Sequence, residues 1–220
     1  MAGNLVRRGV PPSLGAAVKA EGVQPRSMRE HRRVIQACAA CAFRPDDVVP
    51  MMGDGPLPAP VVVVSKAARQ HDLLMGRGLA GGARNVVDAA IANAGITQAV
   101  RFTSAVRCVP PDGRALAHQE QDHCREHLLA ELLLAAPLVV LTLGEAATAA
   151  LLRADVPFAA VAGMPLRLTD EVLLIPTVDP MDVVRGRRDA TVALRRDFLL
   201  AHALLTKAAT GGAMRDAANE

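Results

Sequence analysis

The chain has 220 residues, 51% of them hydrophobic, which is enough to bury one substantial core and makes a single domain the default. Its net charge of +3 is modest, with arginines grouped at Arg7–Arg8, Arg29–Arg33, Arg185–Arg188 and Arg195–Arg196. The absence of any apolar run approaching the roughly 18 residues of a membrane span, and of a leader-type apolar segment, sets the expectation of a soluble, cytoplasmic protein with no membrane partner. Four Phe and no Tyr or Trp exclude a stacking face rich in aromatics and leave the core to Ala, Val and Leu.

In chain order, residues 1–27 mix Gly, Pro and charge without periodicity and read as a flexible N-terminal arm. A helical pattern over Met28–Ala40 runs into Cys38-Ala-Ala-Cys41. Residues 44–60 hold five prolines and two glycines and read as a surface loop. Val61-Val62-Val63-Val64 is a strand buried on both faces. A glycine-rich stretch, 76–82, precedes a helix over 84–93. Further strands are expected at 99–107, 137–143 and 172–176, with helices at 118–134, 145–153 and 187–207 between and after them. The segment 209–220 reads as a disordered tail, leaving one domain over 28–208. This alternation predicts an α/β fold, a three-layer α/β/α sandwich around a mostly parallel four-stranded sheet. Ligands bind such sheets at the carboxyl ends of the strands, so the segments after residues 64, 104, 143 and 176 are the ones to inspect.

The chain contains four cysteines. Cys38 and Cys41 stand one turn apart, and Cys108 and Cys124 lie at a strand end and on the next helix. In a reducing compartment such a set points to a metal more than to disulfides. Four thiolates suit zinc and an iron–sulfur cluster alike, and the spacing does not choose between them.

Taken together, the motifs resemble those of the family 4 uracil-DNA glycosylases. The resemblance spans roughly residues 36–205. It rests on the Cys38–Cys41 pair, on Gly76-Arg77, Gly81 and Ala83, on Thr103, on Cys108-Val-Pro-Pro111, on Cys124, and on the run Pro137 to Ala147 with its Leu-Gly-Glu-Ala-Ala ending. Pro176-Thr177 and Asp179-Pro180 match the last loop. The resemblance implies a 4Fe-4S cluster held by Cys38, Cys41, Cys108 and Cys124, with zinc as the alternative, and DNA as the partner, single- or double-stranded.

It also exposes departures. The position of the family's acidic residue is Lys66, that of its uracil-stacking phenylalanine is Leu79, that of its base-reading asparagine is Ser104, and that of its histidine is Asp179. A carboxylate only accepts hydrogen bonds when ionised, so Asp179 is badly suited to steady an anionic leaving base. The implied site comprises Lys66, Asp72 and Asp179 as candidates for chemistry, with His71 beside them, and Ser65, Ala67, Leu79 and Ser104 as the base pocket. Arg69, Arg77, Arg185 and Arg187 are candidate backbone contacts. Lys66 reads as a phosphate contact or an amine nucleophile, and Asp179 also reads as a helix cap. The expectation is a glycosylase-like DNA-binding protein, retargeted to another damaged or modified base or catalytically silent. The alternative is an adaptor that keeps the fold and metal site for stability.

Overall fold

The computed structural model describes residues 27–41, 50–110, 114, 118–152, 157–169 and 171–216. The arm expected over 1–27 thus lies almost wholly outside the described residues, as do part of the 44–60 loop and the last four residues of the expected tail.

Helix α1, Met28–Ala37, starts where the Ser27 hydroxyl accepts the Glu30 N–H, and it turns His31 and Ile35 inward one turn apart. Strand β1, Val61–Ala67, is central, and its valines divide by the two-residue period of a strand. Val62 and Val64 enter one apolar cluster and Val61 and Val63 the other. The chain continues through α2 (Gln70–Met75) and α3 (Gly82–Ala94) to β2 (Val100–Val106), which pairs parallel to β1 with Val61 opposite Val100. Next come α4 (His118–Ala135), β3 (Val139–Leu143), α5 (Glu145–Leu152), α6 (Phe158–Val161), β4 (Leu166–Arg167) and β5 (Leu173–Thr177). Helices α7 (Pro180–Val184) and α8 (Arg188–Asp216) complete the chain.

The sheet order is β2-β1-β3-β5-β4, and all neighbours are parallel except β4 against β5. The sheet therefore has five strands where the sequence predicts four. The extra one is a two-residue edge pairing, too short for any alternation to register in sequence. Leu128, Leu129, Leu132 and Ala147 from α4 and α5 pack on one face, and Val87, Ala90, Leu194 and Phe198 from α3 and α8 on the other, giving the three-layer α/β/α arrangement. The last helix runs past Thr210 to Asp216, where the sequence reads a tail. Among the described residues no helix is long and apolar enough to cross a membrane.

The order of the strands determines where a ligand can sit. The chain leaves β1 for β2 on one side and returns to β3 on the other, so connections diverge at the carboxyl ends of β1 and β3 and leave a crevice there.

Candidate base-binding cavity and cysteine centre

A cavity of about 280 Å³ occupies that crevice. Its walls are Ser65, Lys66 and Ala67 from the end of β1, Leu143 from the end of β3, Leu79 and Ala83 around the start of α3, and Asp179, Pro180, Met181 and Arg185 around α7, with Arg69 alongside. The lining combines aliphatic side chains with three cations, Lys66, Arg69 and Arg185, the Ser65 hydroxyl and the Asp179 carboxylate. Among the described residues no aromatic ring contributes to it.

Local geometry explains how these residues arrive there. Asp179 caps α7, its Oδ1 accepting the Met181 N–H at 2.8 Å. Gly144 adopts φ +83, and a Cβ there would stand 3.4 Å from the Asp179 Cβ, so the glycine lets the turn after β3 lie against the turn after β5. Leu79 is buried with φ +57, a conformation that bulky residues rarely adopt and that costs roughly 1–3 kcal/mol. Leu79 is thus held under backbone strain against the cavity.

Several of the remaining sequence candidates are placed elsewhere. Asp72 is buried and does not line the cavity. Its carboxylate accepts the Ala80 N–H at 2.7 Å and the Arg69 N–H at 2.9 Å and pairs with the Arg69 guanidinium at 3.3 Å, so it ties α2 to the glycine-rich loop. His71 packs against Gly81. Ser104 is buried and donates to the Val106 carbonyl, outside the cavity wall. Ser65 donates to the Thr103 carbonyl. Arg69 reaches both the cavity and the Ala80 carbonyl, whereas Arg77 stands off the wall. Arg185 and Arg187 share Asp182 in exposed pairs at 3.3 and 3.4 Å, and Arg187 also meets Asp189 at 2.8 Å. Exposed pairs of this kind are weak, so they leave both arginines able to exchange to a phosphate.

The four cysteines come together. Cys38, Cys41, Cys108 and Cys124 line one narrow cavity of about 10 Å³, shared with Ile35, Pro50, Arg107, His123 and His127. No disulfide joins any two of them. Burial, together with the neighbouring Cys124, Cys108 and Cys38, pushes the Cys41 thiol up to about 12. Burial likewise raises Cys124, opposed by the Arg107 backbone N–H and the Arg107 charge. Burial thus opposes ionisation of Cys41 and Cys124, and four soft sulfur donors lining one cavity are the donor chemistry of a tetrathiolate metal site. The space as it stands is that of a single water, and among the described residues no three donors stand in ready-made ligating geometry. The residues fit a metal centre in kind and location, and their final spacing is for the metal to impose.

Sequence reasoning missed the network beside this cavity. Glu131 of α4 is fully buried, with Oε1 2.5 Å from Arg101 Nε and Oε2 2.6 Å from Arg107 Nη2 and 3.0 Å from the Thr103 hydroxyl. Arg101 continues to the Gly55 and Gly53 carbonyls at 2.5 and 3.0 Å, and Arg107 also donates to the Thr103 hydroxyl. Burial alone would push the Glu131 carboxyl up, but the Arg107 and Arg101 guanidiniums and the donated hydrogen bonds outweigh it and hold it below the ordinary value. The signal was present: Arg101 lies inside a buried strand and Arg107 follows its end, and Glu131 interrupts a leucine run.

A model of the uracil DNA glycosylase superfamily matches residues 52–201. The chain belongs to that superfamily. A type-4 uracil-DNA glycosylase of Thermotoga maritima is 26% identical over 155 residues, covering 70% of this chain and 81% of the relative. Membership agrees with the parallel sheet and the strand-end cavity, and it makes a DNA glycosylase-like protein the frame for the site. Within the superfamily frame, Lys66, Leu79 and Asp179 all line the cavity, whereas Asp72 and Ser104 do not.

Proposed function

We propose that this protein binds DNA, receives an extruded nucleobase in the strand-end cavity, and excises uracil weakly or not at all. The observation that carries the reading is the cavity wall itself. Its size lies near the lower end of small-ligand sites, about 300 Å³, and its position is that of ligand sites in doubly wound sheets. Cleaving an N-glycosidic bond needs donors aimed at the departing base. Asp179 supplies a carboxylate already engaged in capping α7, and Leu79 offers less stacking area than a ring. Lys66, Arg69 and Arg185 supply positive charge at the mouth, suited to phosphates or to an acceptor-rich base edge.

The resemblance to type-4 enzymes supports a 4Fe-4S cluster on Cys38, Cys41, Cys108 and Cys124, with zinc as the alternative occupant. Such a centre would fasten α1, the end of β2 and α4 to one another. Iron and zinc analysis of the purified protein, with absorbance near 400 nm, distinguishes the two.

Duplex and single-stranded oligonucleotides carrying uracil, hypoxanthine, xanthine or bulky modified pyrimidines, scored for abasic sites, test the activity. Release of a base other than uracil identifies a retargeted enzyme. Uracil release at the rate of an ordinary type-4 enzyme refutes the reading. DNA affinity should fall steeply with salt as arginine–phosphate contacts are screened. No DNA binding at low salt would favour the adaptor alternative.

A further inference from the structure

We infer that Arg107 is the buried counter-cation of the four-cysteine centre, and that its charge, beyond any structural role, determines how tightly that centre holds its metal. The inference rests on the tetrathiolate reading above and deepens it.

Arg101 and Arg107 are both buried, and among the described residues both pair with the same carboxylate, Glu131. Two guanidiniums on one carboxylate leave one positive charge unmatched in the interior, where an uncompensated charge is costly. The two arginines are not equivalent. Arg101 spends its remaining donors on the Gly53 and Gly55 carbonyls. Arg107 lines the cysteine cavity, and its Nε, fully buried, has no hydrogen-bond partner. His123 and His127, also on that wall, carry the buried nitrogens Nδ1 and Nε2 without partners.

Unpartnered nitrogens, one of them certainly a donor, and an unmatched cation around four thiols share one remedy. Four thiolates around divalent zinc, or around an iron–sulfur core, carry net negative charge and offer sulfur acceptors in every direction. The unmatched charge on Arg107 and its idle Nε–H would be met from the cysteine side. Residues that hydrogen-bond metal ligands without touching the metal typically change affinity by about 10- to 100-fold when replaced.

The test compares two matched substitutions in the full-length protein. Arg107→Gln and Arg101→Gln each remove one guanidinium from Glu131, but only the first alters the cavity wall. Metal per chain and the rate of metal transfer to a chelator are read beside the thermal melt. Arg107→Gln should lose metal about tenfold faster than wild type or more, whereas Arg101→Gln should melt lower yet release metal within about twofold of wild type while still folded. Arg107→Lys keeps the charge and should hold the metal nearly as wild type does.

Equal retention by Arg107→Gln and wild type overturns the inference. So does equally rapid loss from Arg101→Gln, which would make the network merely structural. If Arg107→Gln does not accumulate as folded protein, Arg107→Lys decides alone: rapid metal loss with a wild-type melt refutes the charge. A wild-type protein holding no metal would instead refute the tetrathiolate reading, an outcome distinct from the others.

Discussion

At the scale of single residues, burial and saturation of hydrogen bonds separate structural side chains from those free to meet a substrate. Asp72 reads in sequence as a candidate acid or base, yet it accepts from two backbone N–H groups and from Arg69. Asp72→Ala should therefore destabilise the fold by about 2–4 kcal/mol, leaving buried N–H groups unmet. A loss of DNA-directed activity with an unchanged melt would restore the chemical reading. Gly53 provides a second case. A Cβ there would stand 1.7 Å from Glu131 Oε1, inside a buried ion network with nowhere to yield. Gly53→Ala should cost about 2 kcal/mol or more in a denaturant titration. A melt equal to wild type would show that the loop can lift away.

Single elements show which parts of the molecule sequence could reveal. The valine run of β1 and the apolar stretch of β3 announce strands buried on both faces, and both strands lie at the centre of the sheet. β4 stayed hidden because two residues carry no period. The cysteine set was legible from spacing, since thiols are few and chemically singular. The cavity wall was legible only in part. Lys66, Leu79 and Asp179 followed from resemblance, but Leu143, Pro180 and Met181 enter it through the fold and have no chemistry of their own to advertise.

Helix α1 carries a pH-dependence that follows from its packing. Burial first, and the Arg107 charge second, push the His31 imidazole from 6.5 down to about 4. Folded His31 is thus neutral where the unfolded chain has begun to bind a proton. Its contribution is fully present above pH 6.5 and is lost as the pH falls toward 4. Denaturant titrations across that window should show stability falling with acid, with a shallower slope in His31→Gln. Comparing the two slopes cancels whatever the cysteines contribute in both proteins. Identical slopes would mean that His31 titrates in the fold as it does in water.

Over the whole molecule, the main sheet and the amino-terminal helix are held by different means. β1, β3 and β5 lie between two layers of helices and are stabilised by burial on both faces. Helix α1 lies outside those layers, turning only His31 and Ile35 inward, and its carboxyl end delivers Cys38 and Cys41 to the cavity that Cys108 and Cys124 complete. A metal bound by the proposed tetrathiolate would therefore be the principal tie between α1 and the rest, and its binding energy would appear as folding energy of that helix. Removing the metal with a chelator should speed amide exchange over residues 28–41 by orders of magnitude, while β1 and β3 keep most of their protection. The overall melt should fall by several degrees. The double change Cys38→Ala with Cys41→Ala should reproduce both effects and become insensitive to chelator. If the exchange of α1 is indifferent to metal, apolar contacts alone dock it, and the four thiols come together for some reason other than fastening the helix.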